Sequence, residues 1–352
     1  MRGVLILGDQ QVIVREFPDP TPGPGQAVVR VMAAAVCGSD LRNWYWRSRD
    51  ELAGSGNDSV IPGHEPCGVV ESVGPGVSGV AAGDRVVVWC HCDGACGRCT
   101  HCLAGEQWFC REPGGDPSRR PANGGDADLI LANAWQCMPL PDSLGFEAGA
   151  VLACAGGTAY QAARRLDVTS NQTVAILGAG PVGLACLLTV RALGARTVVA
   201  EPVAERLELA RVLGADALID AARERVPSSI AELTGGRGAD VVVEASGNPT
   251  SQREAVESAQ PGGRVGLVGF GASPHGREGT INSAQVIWKQ LTLVGSFVYP
   301  PTLFGEVAGF ALAHSLPLDA LVTHRFALGE AAEAFELFDS RRCGKIILLP
   351  GS

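Results

Sequence analysis

Apolar and polar positions follow two different rhythms along this chain. Up to about residue 90 the apolar runs are short and bounded by glycine: Val12-Ile13-Val14, Ala27 to Val31, Val69 to Val73 and Arg85 to Val88. Runs of this kind predict strands, and the opening MRGVLI reads as one more. Between them, Pro18, Pro20, Pro22 and Pro24 exclude a central strand and predict an exposed connection. The region therefore predicts a small β-barrel or sandwich. From Gly156 onward, strand-like runs alternate with helical patterns, which predicts a parallel sheet. The predicted strands are 174–177, 197–200, 217–219, 241–244, 264–268 and 291–294, the number a doubly wound dinucleotide fold needs. One intervening helix, Val203 to Leu213, stops at Gly214 as a helix C-terminus should. The tail after about Phe297 predicts two helices and a last strand, Lys345 to Leu349.

The stretch Thr173 to Glu201 sharpens this picture. An apolar strand enters a turn with Gly178, Gly180 and Gly183 in G-x-G-x-x-G spacing, with Pro181 and Val182 between the last two. Val182, Leu184, Leu187, Leu188 and Leu193 then recur at helical intervals, and a second strand ends in Glu201. The first glycine permits the tight turn, the second lets a pyrophosphate approach the backbone, and the third lets helix pack on strand. The helix N-terminus offers unpaired N–H groups to phosphates, and Glu201 stands where a carboxylate accepts adenosine ribose hydroxyls. A glycine turn alone would suit any α/β protein; strand, helix and acid together predict dinucleotide binding.

Composition sets outer bounds. The 352 residues suit two domains. With 28 basic and 37 acidic residues the net charge is −9, which argues against nucleic acid or anionic membrane as a partner. No apolar stretch is long enough to cross a bilayer, and an acid follows the first apolar run, so a strand is expected there rather than a signal peptide. The 12 cysteines crowd between Cys90 and Cys110, a pattern that points to metal binding in a cytoplasmic enzyme. Cys96, Cys99, Cys102 and Cys110 follow C-x2-C-x2-C-x7-C. Four thiolates there predict one closed, structural zinc site; neither iron–sulfur spacing is matched. Cys90, Cys92, His91 and His101 fall outside this set and are expected in the loop or lining a neighbouring cleft.

Three further segments stand out: CGSDL at Cys37, PGHEPCG at His64 and LACAGGTAY at Cys154. With the four-cysteine loop and the glycine turn, they resemble the zinc-containing medium-chain alcohol dehydrogenases over essentially the whole chain. The resemblance implies a GroES-like catalytic β-barrel domain over 1–155 and 296–352, with its zinc lobe at about 90–111, and a Rossmann domain over 156–295. It implies a second, catalytic zinc on Cys37, His64 and Cys154, with Glu65 as occasional ligand or electrostatic tuner and Asp40 orienting His64. Zinc would lower the pKa of an alcohol, Ser39 would take its proton, and a hydride would pass to the nicotinamide. Thr158 would pack on the nicotinamide ring, with Val268, Gly269 and Phe270 bordering its carboxamide. Other buried cysteines, Cys67, Cys137, Cys186 and Cys343, are expected to act as small hydrophobes.

The chain also departs from its relatives. Arg42 stands where many have a relay histidine, and Gly38 replaces a cation used on the pyrophosphate, leaving that role to Lys345 or the helix dipole. Cys92 and Trp44-Tyr45-Trp46 fall where relatives line the substrate pocket. Glu201 favours NAD over NADP, a preference that Arg206 would soften. The expected function is oxidation of a primary or secondary alcohol with NAD, or the reverse reduction, by a homodimer or homotetramer. The alternatives are a polyol or cyclic-hydroxyl dehydrogenase of a biosynthetic pathway, or a non-catalytic dinucleotide sensor lacking one of the three ligands.

Overall fold

A computed structural model describes residues 1–55, 59–91, 95, 96, 98–110, 123–270 and 279–351. Two large sheets organise them. The first is parallel throughout and has six strands, in the order 217–220, 196–201, 173–177, 239–244, 259–267 and 292–295. Numbered along the chain this is 3-2-1-4-5-6, the doubly wound order, and it reverses beside Thr173–Leu177. Ligands bind such sheets at the carboxyl ends of the strands, at the reversal. The central strands are apolar on both faces: Val174, Ala175, Ile176, Val241, Val242 and Val243 are all buried, as a sheet covered by helices on both sides requires.

The second sheet is mixed and has seven strands. Val322–Ala327, Lys345–Leu349, Gln26–Ala35, Pro66–Val73, Arg85–Val88 and Cys137–Pro139 lie in that order, with Leu129–Asn133 pairing on Gln26–Ala35. The chain thus returns at its C-terminal end to complete the sheet it began. Arg2–Ile6 and Val12–Glu16 form a separate antiparallel pair. The expected strands are present; Leu129–Asn133, Cys137–Pro139 and Val322–Ala327 are additions, the last because Thr323, His324 and Arg325 break its apolar pattern.

A single hydrophobic cluster runs from Ala33, Cys67 and Trp89 of the mixed sheet to Val174, Ile176 and Val241 of the parallel one. Buried Trp89 also donates its indole N–H to the Tyr299 carbonyl at 3.0 Å. Packing and a satisfied polar group together fix one sheet against the other, and the cleft between them is where the chemistry-bearing residues meet. Among the described residues, no helix is long and apolar enough to cross a membrane.

Candidate active site

The cleft measures about 740 Å³ and is lined by both halves of the chain. Its far end is the glycine turn. Gly178 has φ +99°, a conformation that side chains resist, and a Cβ on Gly183 would lie 1.8 Å from the Gly178 carbonyl oxygen. The helix Pro181–Ala192 can therefore sit against the turn only with glycine at 183. Gly178, Gly180, Pro181 and Val182 line the cleft, whereas Gly183 lies behind them. Glu201 also borders the cleft, but its carboxylate bends back, accepting the Ala179 N–H at 2.6 Å and the Val203 N–H at 3.0 Å. Arg206 donates to the Cys343 carbonyl at 2.9 Å and lines the same end. Thr158, Val268 and Phe270 lie nearer the middle; the Thr158 hydroxyl is buried with no hydrogen-bond partner.

On the other side, residues separate in sequence converge. One ligand atom each from Cys37, His64, Glu65 and Cys154 lies within 4.8 Å of the others. Cys37 precedes a short helix, Gly38–Asp40, whose Asp40 carboxylate accepts the Cys37 N–H at 2.9 Å. Cys154 sits in a π-helical turn, Leu152–Gly156, and a second such turn, Leu41–Tyr45, follows Asp40. Wide turns of this kind re-aim a side chain and are frequent at functional sites. Asp40 is fully buried, and its other oxygen lies 3.1 Å from His64 Nδ1. A carboxylate can only accept, so Nδ1 carries a proton, and it is Nε2 that faces the cluster and presents a lone pair when the ring is neutral. Ser39 Oγ stands 3.4 Å from that Nε2.

The electrostatics are those of a donor set crowded out of water. Burial lowers the affinity of His64 for a proton, but Asp40 and Cys37 more than offset this and hold its pKa well above the usual value. The thiols of Cys37 and Cys154 share a hydrogen bond that lowers Cys37 and raises Cys154. Burial raises Glu65, which pairs with Lys345 Nζ at 2.5 and 2.7 Å. Both side chains of that pair are buried. Lys345, expected as one candidate for the pyrophosphate, thus holds its charge against Glu65 behind the cluster. Nothing in the local sequence foretells this contact across 280 positions. Asp126 carries no sequence signal either: its carboxyl is buried without a partner, pressed on Gly63, and burial raises its pKa well above the usual range.

A second donor set, Cys96, Cys99, Cys102 and Cys110, also lies within 4.8 Å. The Cys99 N–H points at Cys96 Sγ at 3.3 Å, and the Cys96 N–H at Cys110 Sγ at 3.3 Å. The Arg98 N–H, followed by that of Cys99, pulls the Cys96 thiol down to about 6. All-thiolate donors in this arrangement suit zinc, and two thiols with an imidazole suit it equally. His91 lines the cleft and its ring meets that of His64 at 5.2 Å, while His101 is exposed and paired with Glu106. Trp44 and Trp46 line the cleft; Tyr45 instead turns inward and stacks on Phe335, because consecutive helical residues face different ways. Cys92 lies outside the described residues.

Residues 23–142 match the alcohol dehydrogenase GroES-like domain, and residues 181–313 match the zinc-binding dehydrogenase family. The chain belongs to the zinc-containing medium-chain alcohol dehydrogenases. It is 34% identical to the zinc-type alcohol dehydrogenase-like protein YphC of Escherichia coli (strain K12), over 99% of this chain and 98% of that one. It is also 34% identical to L-threonine 3-dehydrogenase of Saccharopolyspora erythraea, over 95% and 94% of the two chains. Among solved structures, alcohol dehydrogenase TADH from Thermus sp. ATN1 superposes with a TM-score of 0.86 at 30% identity, over 99% of each chain. The family makes this chain an oxidoreductase with a GroES-like domain and a Rossmann domain.

Proposed function

We propose that the protein is an alcohol dehydrogenase that moves a hydride between a primary or secondary alcohol and NAD. One observation carries the reading: two thiols and an imidazole, Cys37, Cys154 and His64, converge in the cleft that ends at the glycine turn. The non-catalytic alternative requires loss of one of the three, and all are present. Zinc on these residues would supply Lewis acidity toward the alcohol oxygen, and NAD in the cleft would accept the hydride. The chain's own groups do the rest. Asp40 fixes the His64 tautomer and ring; Glu65, balanced by Lys345, places a carboxylate behind the donors. The Ser39 hydroxyl, 3.4 Å from His64 Nε2, would take the alcohol's proton, with Arg42 standing where a histidine would continue the route.

The glycine turn and the N-terminus of Pro181–Ala192 would hold the pyrophosphate, Thr158, Val268 and Phe270 would border the nicotinamide, and Glu201 with Arg206 would meet the adenosine ribose. Glu201 favours NAD, since its carboxylate would repel a 2′-phosphate. Cys96, Cys99, Cys102 and Cys110 would hold a second, structural zinc. The two separate sheets support a division with 156–295 as the Rossmann unit and 1–155 with 296–352 as the GroES-like unit. The edge strand Thr292–Gly295 and the exposed Ile287 and Trp288 beside it support a homodimer or homotetramer. Eleven cysteines are free thiols among the described residues, which supports a reducing, cytoplasmic setting.

The test is NADH formation from a panel of primary, secondary, aromatic and polyol substrates. Turnover of simple alcohols with NAD supports the reading; a protein that binds NAD and turns over none of them contradicts it.

A further inference from the structure

We propose that the alcohol this site takes carries an aromatic ring beside its carbinol carbon, seated on a wall formed by Phe270 and Phe297, with Trp108 packed behind Phe297. The proposal rests on the dehydrogenase reading above and narrows its substrate class. Phe270 and Phe297 leave the carboxyl ends of two adjacent strands, 259–267 and 292–295, and both line the cleft. Their rings meet at 5.6 Å and 61°, and Trp108 from the cysteine lobe meets Phe297 at 6.5 Å and 88°. These are edge-to-face geometries, and they leave a further ring an obvious way to join. Inside a cleft such residues would ordinarily be covered, yet Phe270 is 57% and Phe297 48% exposed. Covering that surface is a source of binding energy. The contacts continue inward: Trp108 to Trp89 at 6.2 Å, Trp89 to His91 at 5.4 Å and His91 to His64 at 5.2 Å. These contacts run behind the cleft through buried Trp89; within the cleft, Arg42, three residues past Ser39, lies over the Phe270 ring, which sets the wall beside the segment that carries Cys37 and Ser39.

The polar groups along the same wall argue against a polyol or an amino acid. Such substrates need several directed hydrogen-bond partners. Arg42 instead donates to the Phe270 carbonyl and to Asn43 Oδ1, and lies over the Phe270 ring at 4.8 Å. His91 donates Nε2–H to the Ala153 carbonyl at 3.1 Å, and Asn123 accepts the Ile61 N–H at 3.3 Å. Among the described residues, the Arg42 guanidinium, His91 Nε2 and Asn123 Oδ1 are thus turned onto the protein itself.

The experiment measures kcat/KM for benzyl alcohol, ethanol, sorbitol and L-threonine with NAD and with NADP, in the zinc-loaded wild type, Phe297→Ala, Phe297→Leu and Phe270→Ala. The expected result is benzyl alcohol as best substrate, with its advantage over ethanol falling about tenfold in Phe297→Ala and less in Phe297→Leu. Phe297→Leu reads the same ratio should Phe297→Ala fold poorly; Phe270→Ala, which also borders the nicotinamide, is read only as the benzyl alcohol to ethanol ratio, in which a loss of cofactor binding cancels. Sorbitol or L-threonine as best substrate overturns the proposal and leaves the dehydrogenase reading standing, as does an unchanged ratio in active variants. No turnover of any of the four with either cofactor overturns both.

Discussion

Cys96, Cys99, Cys102 and Cys110 come from fifteen consecutive residues, whereas Cys37, His64 and Cys154 are gathered from three separate segments between residues 37 and 154. In the first set the neighbouring backbone N–H groups point at the sulfurs, so the loop itself prepares the thiolates. In the second, the support comes from buried side chains: Asp40 on His64, and Lys345 on Glu65. The first set has four sulfurs and leaves a tetrahedral ion no open position. The second offers three strong donors, with Glu65 tied to Lys345, at the wall of a cleft. The first set lies within one loop; the second comes together only once three separate segments have packed.

Breaking each cluster should therefore have opposite consequences. Cys154→Ala is expected to lower kcat by about a thousandfold or more, with an unchanged circular dichroism spectrum and little loss in Tm. Cys99→Ser is expected to lower stability by on the order of 4 kcal/mol, as loss of a structural metal does, while turnover per folded molecule is kept. Full activity in Cys154→Ala, or a collapse of turnover in well-folded Cys99→Ser, would remove the distinction. Next in size is Lys345→Met, which strips the partner from a buried carboxylate and should cost about 3–5 kcal/mol in denaturant unfolding. A cost below about 1 kcal/mol, the range of surface pairs, would show that Glu65 does not depend on Lys345. The smallest effect belongs to the far end of the cleft. Glu201→Ala should reduce the NAD over NADP preference in kcat/KM, and an unchanged preference would assign selectivity to other residues.

Much of this architecture is legible in the amino-acid sequence. The doubly wound sheet follows from six apolar runs at regular intervals, and the glycine turn names its own position because only glycine fits at 178 and 183. The cysteine loop is equally local. The second donor set is legible only through a family resemblance, since nothing in the spacing of Cys37, His64 and Cys154 requires them to meet. Lys345 illustrates the limit: it reads as the polar start of a last strand, and only the pairing of Lys345–Leu349 with Gln26–Ala35 carries it behind the cluster. Asp126 gives no signal, because a carboxyl buried against Gly63 looks in sequence like any loop acid. The bend of Glu201 onto the Ala179 and Val203 N–H groups is equally invisible there, being a choice of rotamer.

The central claim is that the assembled cluster, Cys37, His64 and Cys154, holds a catalytic metal of its own. Elemental analysis of purified wild type and Cys154→Ala, alongside their NADH-forming rates, tests it most directly. Two zinc ions per chain are expected in the wild type, and one in an inactive Cys154→Ala variant. One zinc per chain in a fully active wild type, or two retained by the variant, would contradict it.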